Sequence, residues 1–445
     1  MEKLVAQLAY PDTKAVAGWL VAYSGGLDSR VLLELTALAH RRSDIPVRVI
    51  HINHGVNIKA NQWAEECVGV ARDLALPIEV VSLSGMVYSL NDREVKETGN
   101  LEARLRELRY RELAKRLLPD WCLLLAHHAD DQAETLLLQL LRGAAVRGMA
   151  GMSDKMERWH GGFRWRPLLH LSKQELRDYA LKRQWNWIED DSNQDVRYRR
   201  NYIRHKVMPC LIKLVPSAVR NLNRTARLMA DGSQLLDEVA QMDWQITQSS
   251  RYLIPRVLWP PLNDLSEARR NNLWRYIFNR LGYSMPSLAR LQCLQRELVM
   301  ARPDATPILN WKELTIRRYR DYVYLLPLGA DFEQPEKRFC RDGSVVSWQL
   351  LFPDGRRCLI EYQLSSGGRA GLLEGFSWRC VPAGEIVRLA RDNKHDVVRR
   401  WVKFAQNIGV PPWWRSSLPV LLVHEQLTVV PGYWAAKHWH WRWAE

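Results

Sequence analysis

The sequence has no C-x-x-C pair. Its seven cysteines, Cys67, Cys122, Cys210, Cys293, Cys340, Cys358 and Cys380, stand singly. That pattern argues against zinc or iron–sulfur ligation and for a reducing compartment. No stretch approaches the ~18 apolar residues of a membrane span. The N-terminus, MEKLVAQLAYPDTK, lacks the apolar core of a signal peptide. A cytoplasmic protein with no membrane partner is expected. Phenylalanine is scarce, at 7 residues against 20 tryptophans, while aromatics total only 9%; Trp partly replaces Phe. There is no internal repeat and no low-complexity tract.

Negative charge is also in short supply. The 64 Lys and Arg outnumber 49 Asp and Glu, leaving a formal net charge of +15. Such an excess points to a polyanionic partner, nucleic acid above all, because Lys and Arg displace counterions from a phosphate backbone. Otherwise the composition is that of an ordinary globular protein, 47% hydrophobic and 25% charged. At 445 residues the chain is long enough for two or three domains.

What is present is most informative at Ser24, Gly25, Gly26, Leu27, Asp28 and Ser29. This segment follows an apolar run and opens a helical pattern with Val31, Leu32, Leu35 and Leu38 on one face. Glycines at a strand-to-helix turn let backbone N–H groups approach a phosphate, and the helix dipole adds favourable potential. The serines add hydroxyl donors and Asp28 is a candidate Mg²⁺ ligand. No lysine follows the glycines, which excludes a Walker-type loop.

Short apolar runs at Leu20–Tyr23, Val47–Ile52, Ile78–Leu83 and Cys122–Ala126 alternate with helical patterns at Ser29–Ala39, Ala60–Leu74, Asn100–Leu117, Asp130–Leu141 and Ser172–Arg183. The alternation predicts an α/β domain over 1–215, a parallel sheet covered by helices on both faces. Its ligands belong at the carboxyl ends of the strands, where Ser24, His51 and His127 fall. A helical domain is expected over 216–330, and a small mixed α+β domain over 331–445 with one clear helix at His395–Asn407.

Three further clusters carry chemistry. His127-His128-Ala129-Asp130-Asp131-Gln132-Ala133-Glu134-Thr135 begins a helix. Asp131 and Glu134 share one of its faces, and Leu136, Leu137, Leu140 and Leu141 mark it as otherwise buried. Acidic residues also cap helices, but so many polar groups at one buried start point to the cleft, to hold Mg²⁺, bind an amine or accept its proton. Arg106 and Arg109, three apart on a basic helix, can both face a triphosphate. The stretch Arg197-Tyr198-Arg199-Arg200-Asn201-Tyr202-Ile203-Arg204 interleaves Arg with Tyr and Asn, as RNA phosphate and base contacts require. Near the end, Gly409-Val410-Pro411-Pro412-Trp413-Trp414-Arg415 follows a basic helix holding Lys394, Arg399, Arg400 and Lys403. It reads either as a packing clamp or as an RNA-facing surface.

The Ser24–Ser29 loop resembles the pyrophosphatase loop (PP-loop) of enzymes that split ATP between its α- and β-phosphates. Over nearly the whole chain the segments resemble tRNA(Ile)-lysidine synthetases. The more specific matches are His51-Ile52-Asn53-His54-Gly55, Asn100-Leu101-Glu102-Ala103 with Arg106 and Arg109-Tyr110, and the His127–Thr135 run. The most specific are Arg166-Pro167-Leu168-Leu169 and Trp187-Ile188-Glu189-Asp190 leading to Arg200-Asn201 and Ile203-Arg204. Val410-Pro411-Pro412-Trp413 with Arg415 also matches. Asp191 departs from the family, which usually has Pro there, and should loosen a turn.

The resemblance implies an adenine-nucleotide α-hydrolase-like fold for the first domain. It implies ATP-dependent joining of free lysine to the wobble cytidine of an isoleucine tRNA with a CAU anticodon. The cytidine C2 oxygen attacks the α-phosphate, pyrophosphate leaves, and the lysine amine then attacks C2 and expels AMP. On this reading ATP is held by Ser24, Gly25, Gly26, Leu27, Asp28, Ser29, His51 and Arg109, with Mg²⁺ on Asp28. Asp28, Arg106, Asp131 and Glu134 are the catalytic candidates, Asp131 and Glu134 binding the lysine amine and taking its proton. Arg197, Arg199, Arg200, Arg204, Arg399, Arg400 and Arg415 are the candidate tRNA contacts. A homodimer is left open. Rival readings are a PP-loop tRNA cytidine thiolase, which commonly needs paired cysteines; an amidotransferase-linked ligase; and a non-catalytic tRNA-binding protein.

Overall fold

The computed structural model describes residues 1–9, 16–55, 57–83, 101–190, 194–247, 256–299, 301–302, 305, 307–312, 314–329, 332, 336–339, 345–352, 357–363, 376–390, 397–436 and 439–443. Asn100, Asp191 and Lys394 lie outside them. The chain divides into two compact units, Met1–Leu235 and Leu236–Glu445.

The first unit opens with α1 (Glu2–Ala9), β1 (Gly18–Ala22), α2 (Leu27–Ser43), β2 (Val47–Asn53), α3 (Ala60–Asp73) and β3 (Ile78–Ser82). Then come α4 (Leu101–Arg116), β4 (Trp121–Leu124), α5 (Ala129–Leu141), β5 (Glu157–Trp159), β6 (Gly162–Trp165) and α6 (Lys173–Lys182). Six strands form one sheet in the order β3-β2-β1-β4-β6-β5. All neighbours are parallel except the β5–β6 hairpin.

The predicted parallel sheet is therefore present, and its central strands β1 and β4 bury side chains on both faces, since successive side chains alternate across the sheet. Trp19 and Val21 of β1 join Val49, Cys122 and Leu124 in a core closed by α1, α2 and α6. Leu20 joins Ile50, Leu123, Leu113 and Leu117 on the opposite face, under α4. The β5–β6 hairpin, absent from the sequence-based expectation, is too short for periodicity to reveal.

The strand order creates the site. β1 lies between β2 and β4, so the chain winds one way from β1 to β3 and the other way after β4. The carboxyl ends of β1 and β4 flank that switch point, where adjoining loops splay apart and leave a crevice. The Ser24–Ser29 loop follows β1 and the His127–Asp131 segment follows β4.

Beyond α6 come a short helix α7 (Arg199–Tyr202), a π-helical turn at Ile203–Val207, α8 (Met208–Leu214) and the long α9 (Ala218–Thr247), within which the division of the units falls. The second unit first packs helices α10 (Glu267–Arg280) and α11 (Leu288–Val299) with four strands. These are β7 (Arg256–Leu258), β8 (Ile308–Trp311), β9 (Leu314–Tyr319) and β10 (Tyr322–Pro327). Trp274, Phe278, Ile316 and Val323 share their core. A helical domain was expected over 216–330. Instead the chain makes tight turns through left-handed Lys312 and Arg320, and the β-branched residues of Leu314–Tyr319 alternate across a sheet.

The final region holds two antiparallel-rich sheets around a core that includes Trp348, Trp401, Trp414 and Trp439. The abundant tryptophans thus serve here as core residues. The helix expected over His395–Asn407 spans only Trp401–Asn407. Val397–Arg400 is a strand paired with Ile386–Leu389, since the β-branched Val397-Val398 pair favours the pleated surface. Arg399 and Arg400 therefore lie on a strand rather than on a basic helix. Among the described residues no helix is long and apolar enough to cross a membrane.

Candidate active site

The loop after β1 is held in shape by its own hydroxyls. Ser29 Oγ donates to Gly26 O (2.9 Å) and accepts from Ser24 N (3.2 Å), with Ser24 Oγ 3.0 Å away. Gly25 has φ +86°, and a Cβ there would sit 2.4 Å from Ile188 Cδ1. Only glycine satisfies both the left-handed backbone and that close approach. For Gly26, in extended conformation at the N-cap of α2, the nearest atom to a built Cβ among the described residues, chain neighbours apart, is Ser24 Oγ at 3.7 Å. The room beside it is thus available to a ligand.

This loop lines a cleft of about 660 Å³ together with His51, His54, Arg109, His127 and Asp131. Among the described residues, four buried polar atoms of the cleft lining have no partner: Asp28 Oδ1, His54 Nδ1, Arg109 Nε and His127 Nδ1. Leaving such atoms unpaired costs about 1–3 kcal/mol each, so their convergence marks a site completed by a ligand. The donor set is two imidazoles, a guanidinium and a carboxylate, which suits an anionic nucleotide with a cation. Among the described residues no group of three His, Cys, Asp or Glu could hold a metal by itself. Mg²⁺ commonly binds through one or two carboxylates plus phosphate oxygens, and the orphaned Asp28 Oδ1 fits that manner of binding.

The imidazoles in the cleft are neutral. Burial, opposed by a hydrogen bond with Tyr23 O (2.9 Å), lowers His51. Burial, then Arg109 and His51, hold His54 at about 4. Burial outweighs Asp131 and holds His127 at about 3. His128 behaves oppositely. Burial pushes it down, but hydrogen bonding to Asp130 and Asp28 and the charge of Asp131 raise it to about 10. Its Nε2 lies 3.5 Å from Asp28 Oδ2 and 3.4 Å from Asp131 Oδ2, so it links the two strand ends. Sequence reasoning left His128 out of the site, although its place beside His127 and before two aspartates was a usable signal.

Asp131 and Glu134 stand on one face of α5, 8% and 2% exposed. Leu140 and Leu141 are exposed, so the expectation of a helix buried beyond its start holds only for its first half. The acidic pair is already paired. Arg200 Nη2 and Arg204 Nη2 donate to Asp131 Oδ1 at 2.8 and 3.0 Å. Arg200 Nε and Arg204 Nε donate to Glu134 at 3.0 and 2.6 Å. Burial raises the Asp131 carboxyl, but His128, Arg200, His127 and Arg204 together hold it far below the carboxylate range.

Arg200 and Arg204 were expected on an RNA track. They turn inward instead, because their four-residue spacing across α7 and the π-turn sets both on one face opposite buried carboxylates. Asp130 Oδ2 accepts from Lys173 N (2.8 Å) and so ties α5 to the start of α6.

The other predicted residues scatter. Arg109 lines the cleft, but Arg106 does not; it lines a separate pocket. The three-residue step leaves the two side chains roughly 60° apart around α4, and both guanidiniums lie against Tyr110, 5.1 and 5.4 Å from its ring centre. Arg197 pairs with Asp195 at the surface, Arg199 is exposed, and Arg399 and Arg400 are exposed on their strand. Arg415 turns inward to donate to Val410 O (3.0 Å) and Tyr319 Oη (3.1 Å). With Trp414 buried, the Pro-Pro-Trp-Trp segment is a packing clamp.

Comparison with known proteins gives three family matches: a PP-loop domain over residues 1–211, a TilS substrate binding domain over 259–324 and a TilS substrate C-terminal domain over 376–443. The tRNA(Ile)-lysidine synthase of Alkalilimnicola ehrlichii is 37% identical over 95% of this chain and 91% of its own length. That of Pectobacterium atrosepticum is 35% identical over 96% and 92%. Among solved structures, a U34-tRNA thiolase from Methanococcus maripaludis aligns at 16% identity with a TM-score of 0.42, over 52% of this chain and 79% of its own.

Proposed function

The chain belongs to the tRNA(Ile)-lysidine synthase family, and from that premise we propose how its cleft joins lysine to the wobble cytidine of an isoleucine tRNA with a CAU anticodon, converting ATP to AMP and pyrophosphate. The observation that carries the reading is the set of four unpartnered buried atoms around the switch-point cleft.

Backbone N–H groups of Ser24–Ser29 cradle the pyrophosphate, at the end of α2 where the dipole is positive. Mg²⁺ on Asp28 would supply charge neutralisation for the departing phosphates. Arg109, a half-buried cation whose Nε lacks a protein partner, binds phosphate oxygens. Neutral His51 and His54 suit hydrogen bonding to the nucleoside without adding charge.

The cytidine C2 oxygen attacks the α-phosphate and the bond to pyrophosphate breaks. The lysine ammonium gives up a proton to water, its free amine attacks C2, and the bond from C2 to the AMP oxygen breaks. Asp131 and Glu134 bind that lysine as an ammonium. The depressed carboxyl of Asp131 makes it a weak proton acceptor, so binding, rather than proton removal, is the role its surroundings support. Arg204 lines the cleft and can shift from the carboxylates to phosphate as the ammonium arrives. Exposed Arg199, Arg399 and Arg400 serve the tRNA backbone.

Labelled lysine offered with ATP and a CAU-anticodon isoleucine tRNA transcript tests the reading. Stable incorporation with stoichiometric AMP is expected. Asp131→Asn should lower incorporation at subsaturating lysine by about 10–100-fold, the loss of one hydrogen bond to a charged group, with tRNA affinity retained. Normal turnover by that variant removes Asp131 from the mechanism.

A further inference from the structure

Arg106 opens a second pocket in the first unit, of about 680 Å³, between the outward face of α4 and the β5–β6 hairpin. It shares α4 with the catalytic cleft but none of its lining residues. Its walls are cationic: Arg106, Arg111, Lys115, Arg164 and Arg166. Three carboxylates offset them. Arg111 pairs with Glu107, Lys115 with Glu112, and Arg164 and Arg166 share Glu157. Five cations against three anions leave an excess of two.

Arg106 is exposed and donates to Tyr110 Oη at 3.4 Å. Arg166 is 6% exposed, and its buried Nε has no partner among the described residues. Burial pushes the Tyr110 phenol up, yet Arg106, Arg109, Arg166 and Arg164 outweigh burial and hold it below its ordinary value. The pocket thus presents a positive potential at an aromatic corner. Tyr110 meets Trp159 edge to face at 6.1 Å between ring centres, and Trp159 meets His160 at 4.6 Å.

We propose that this pocket binds a second, unpaired nucleotide of the tRNA substrate, a neighbour in the same single-stranded loop as the cytidine in the cleft, its phosphate on Arg106 and its base against the Tyr110–Trp159–His160 corner. The volume falls within the ~300–1,000 Å³ of small-ligand sites. Cations combined with aromatic faces are the chemistry by which proteins hold unpaired bases. Arg109 and Tyr110 are consecutive residues serving the cleft and the pocket respectively. A helix is about 10 Å across, a width that a short single-stranded run can straddle. Anchoring a neighbour on the far side of α4 would draw the target cytidine out of its stack and into the cleft. The proposal rests on the tRNA reading above and assigns Arg106 away from the ATP phosphates.

The test uses the full-length protein and CAU-anticodon isoleucine tRNA carrying a photoreactive uridine beside the target cytidine. Irradiation should give an adduct on Trp159, His160 or Tyr110. Arg106→Gln, a surface change that leaves the core intact, should raise the KM for tRNA about tenfold. The KM values for ATP and lysine should stay unchanged, and the slope of tRNA affinity against salt should fall by about one. Trp159→Ala should reduce both the adduct yield and tRNA affinity; Trp159→Phe should restore part of the affinity. An adduct mapping elsewhere, or an Arg106→Gln variant with unaltered tRNA KM and salt slope, overturns the proposal. Wild-type protein that binds the tRNA and gives the adduct but transfers no lysine would instead overturn the catalytic reading and leave this one standing.

Discussion

His128 and His127 are adjacent, yet they carry opposite charge states. Buried His127 feels the positive charge of Arg109, Arg166 and Arg106, against which Asp131 favours its proton. His128 touches Asp28, Asp130 and Asp131. Burial penalises both, so the sign of the neighbours decides. This has a measurable consequence on the acid side. An unfolded histidine protonates near pH ~6.5, whereas His54 and His127 resist until about 4 and about 3. Over that window the unfolded chain binds more protons, so folding stability is lost as pH drops from ~6.5 towards 4. Urea midpoints across the window should decline less steeply for His127→Gln than for the wild type. Equal slopes would mean that His127 is not buried as a neutral ring.

At the scale of elements, the site depends on how helices begin. α5 starts with a capping contact in which Asp131 Oδ2 accepts from His128 N. α6 starts with another, between Ser172 and Glu175. The first sets a catalytic candidate and the second only holds a helix, although both follow the same physics. Ser172→Ala should therefore lower unfolding free energy by about 1 kcal/mol with lysine transfer unchanged, as chemical denaturation and turnover would report together. A drop in turnover would mean that the Asp130–Lys173 link transmits the loss of the cap to α5.

For the whole molecule, the +15 charge is divided between roles. Arg200, Arg204 and Arg415 are held by internal partners, while Arg199 and Arg399 face outward. Only outward cations release counterions when a polynucleotide binds. Reversing Arg199 and Arg399 to Glu should weaken tRNA binding and reduce its salt slope by about two or more, with the KM for ATP unchanged. If affinity and slope do not move in a salt titration, the RNA path lies over other cations.

The order of local motifs along the chain was legible from residues alone. Apolar runs alternating with helical periods gave the parallel sheet, because strand and helix side-chain periods differ and burial on both faces selects apolar residues. Ser24–Ser29 and His127–Glu134 were legible as a site because small and polar residues interrupted those runs at strand ends. What only the tertiary structure decided was which way each guanidinium turned. Arg106 and Arg109 look equivalent three residues apart, but the 3.6-residue turn and the packing of Tyr110 send them into different pockets. Arg200 and Arg204 look like an RNA track, but Asp131 and Glu134, some seventy positions earlier, draw them inward. Long, flexible cations take their roles from the charges that folding brings near them, and no local pattern encodes that.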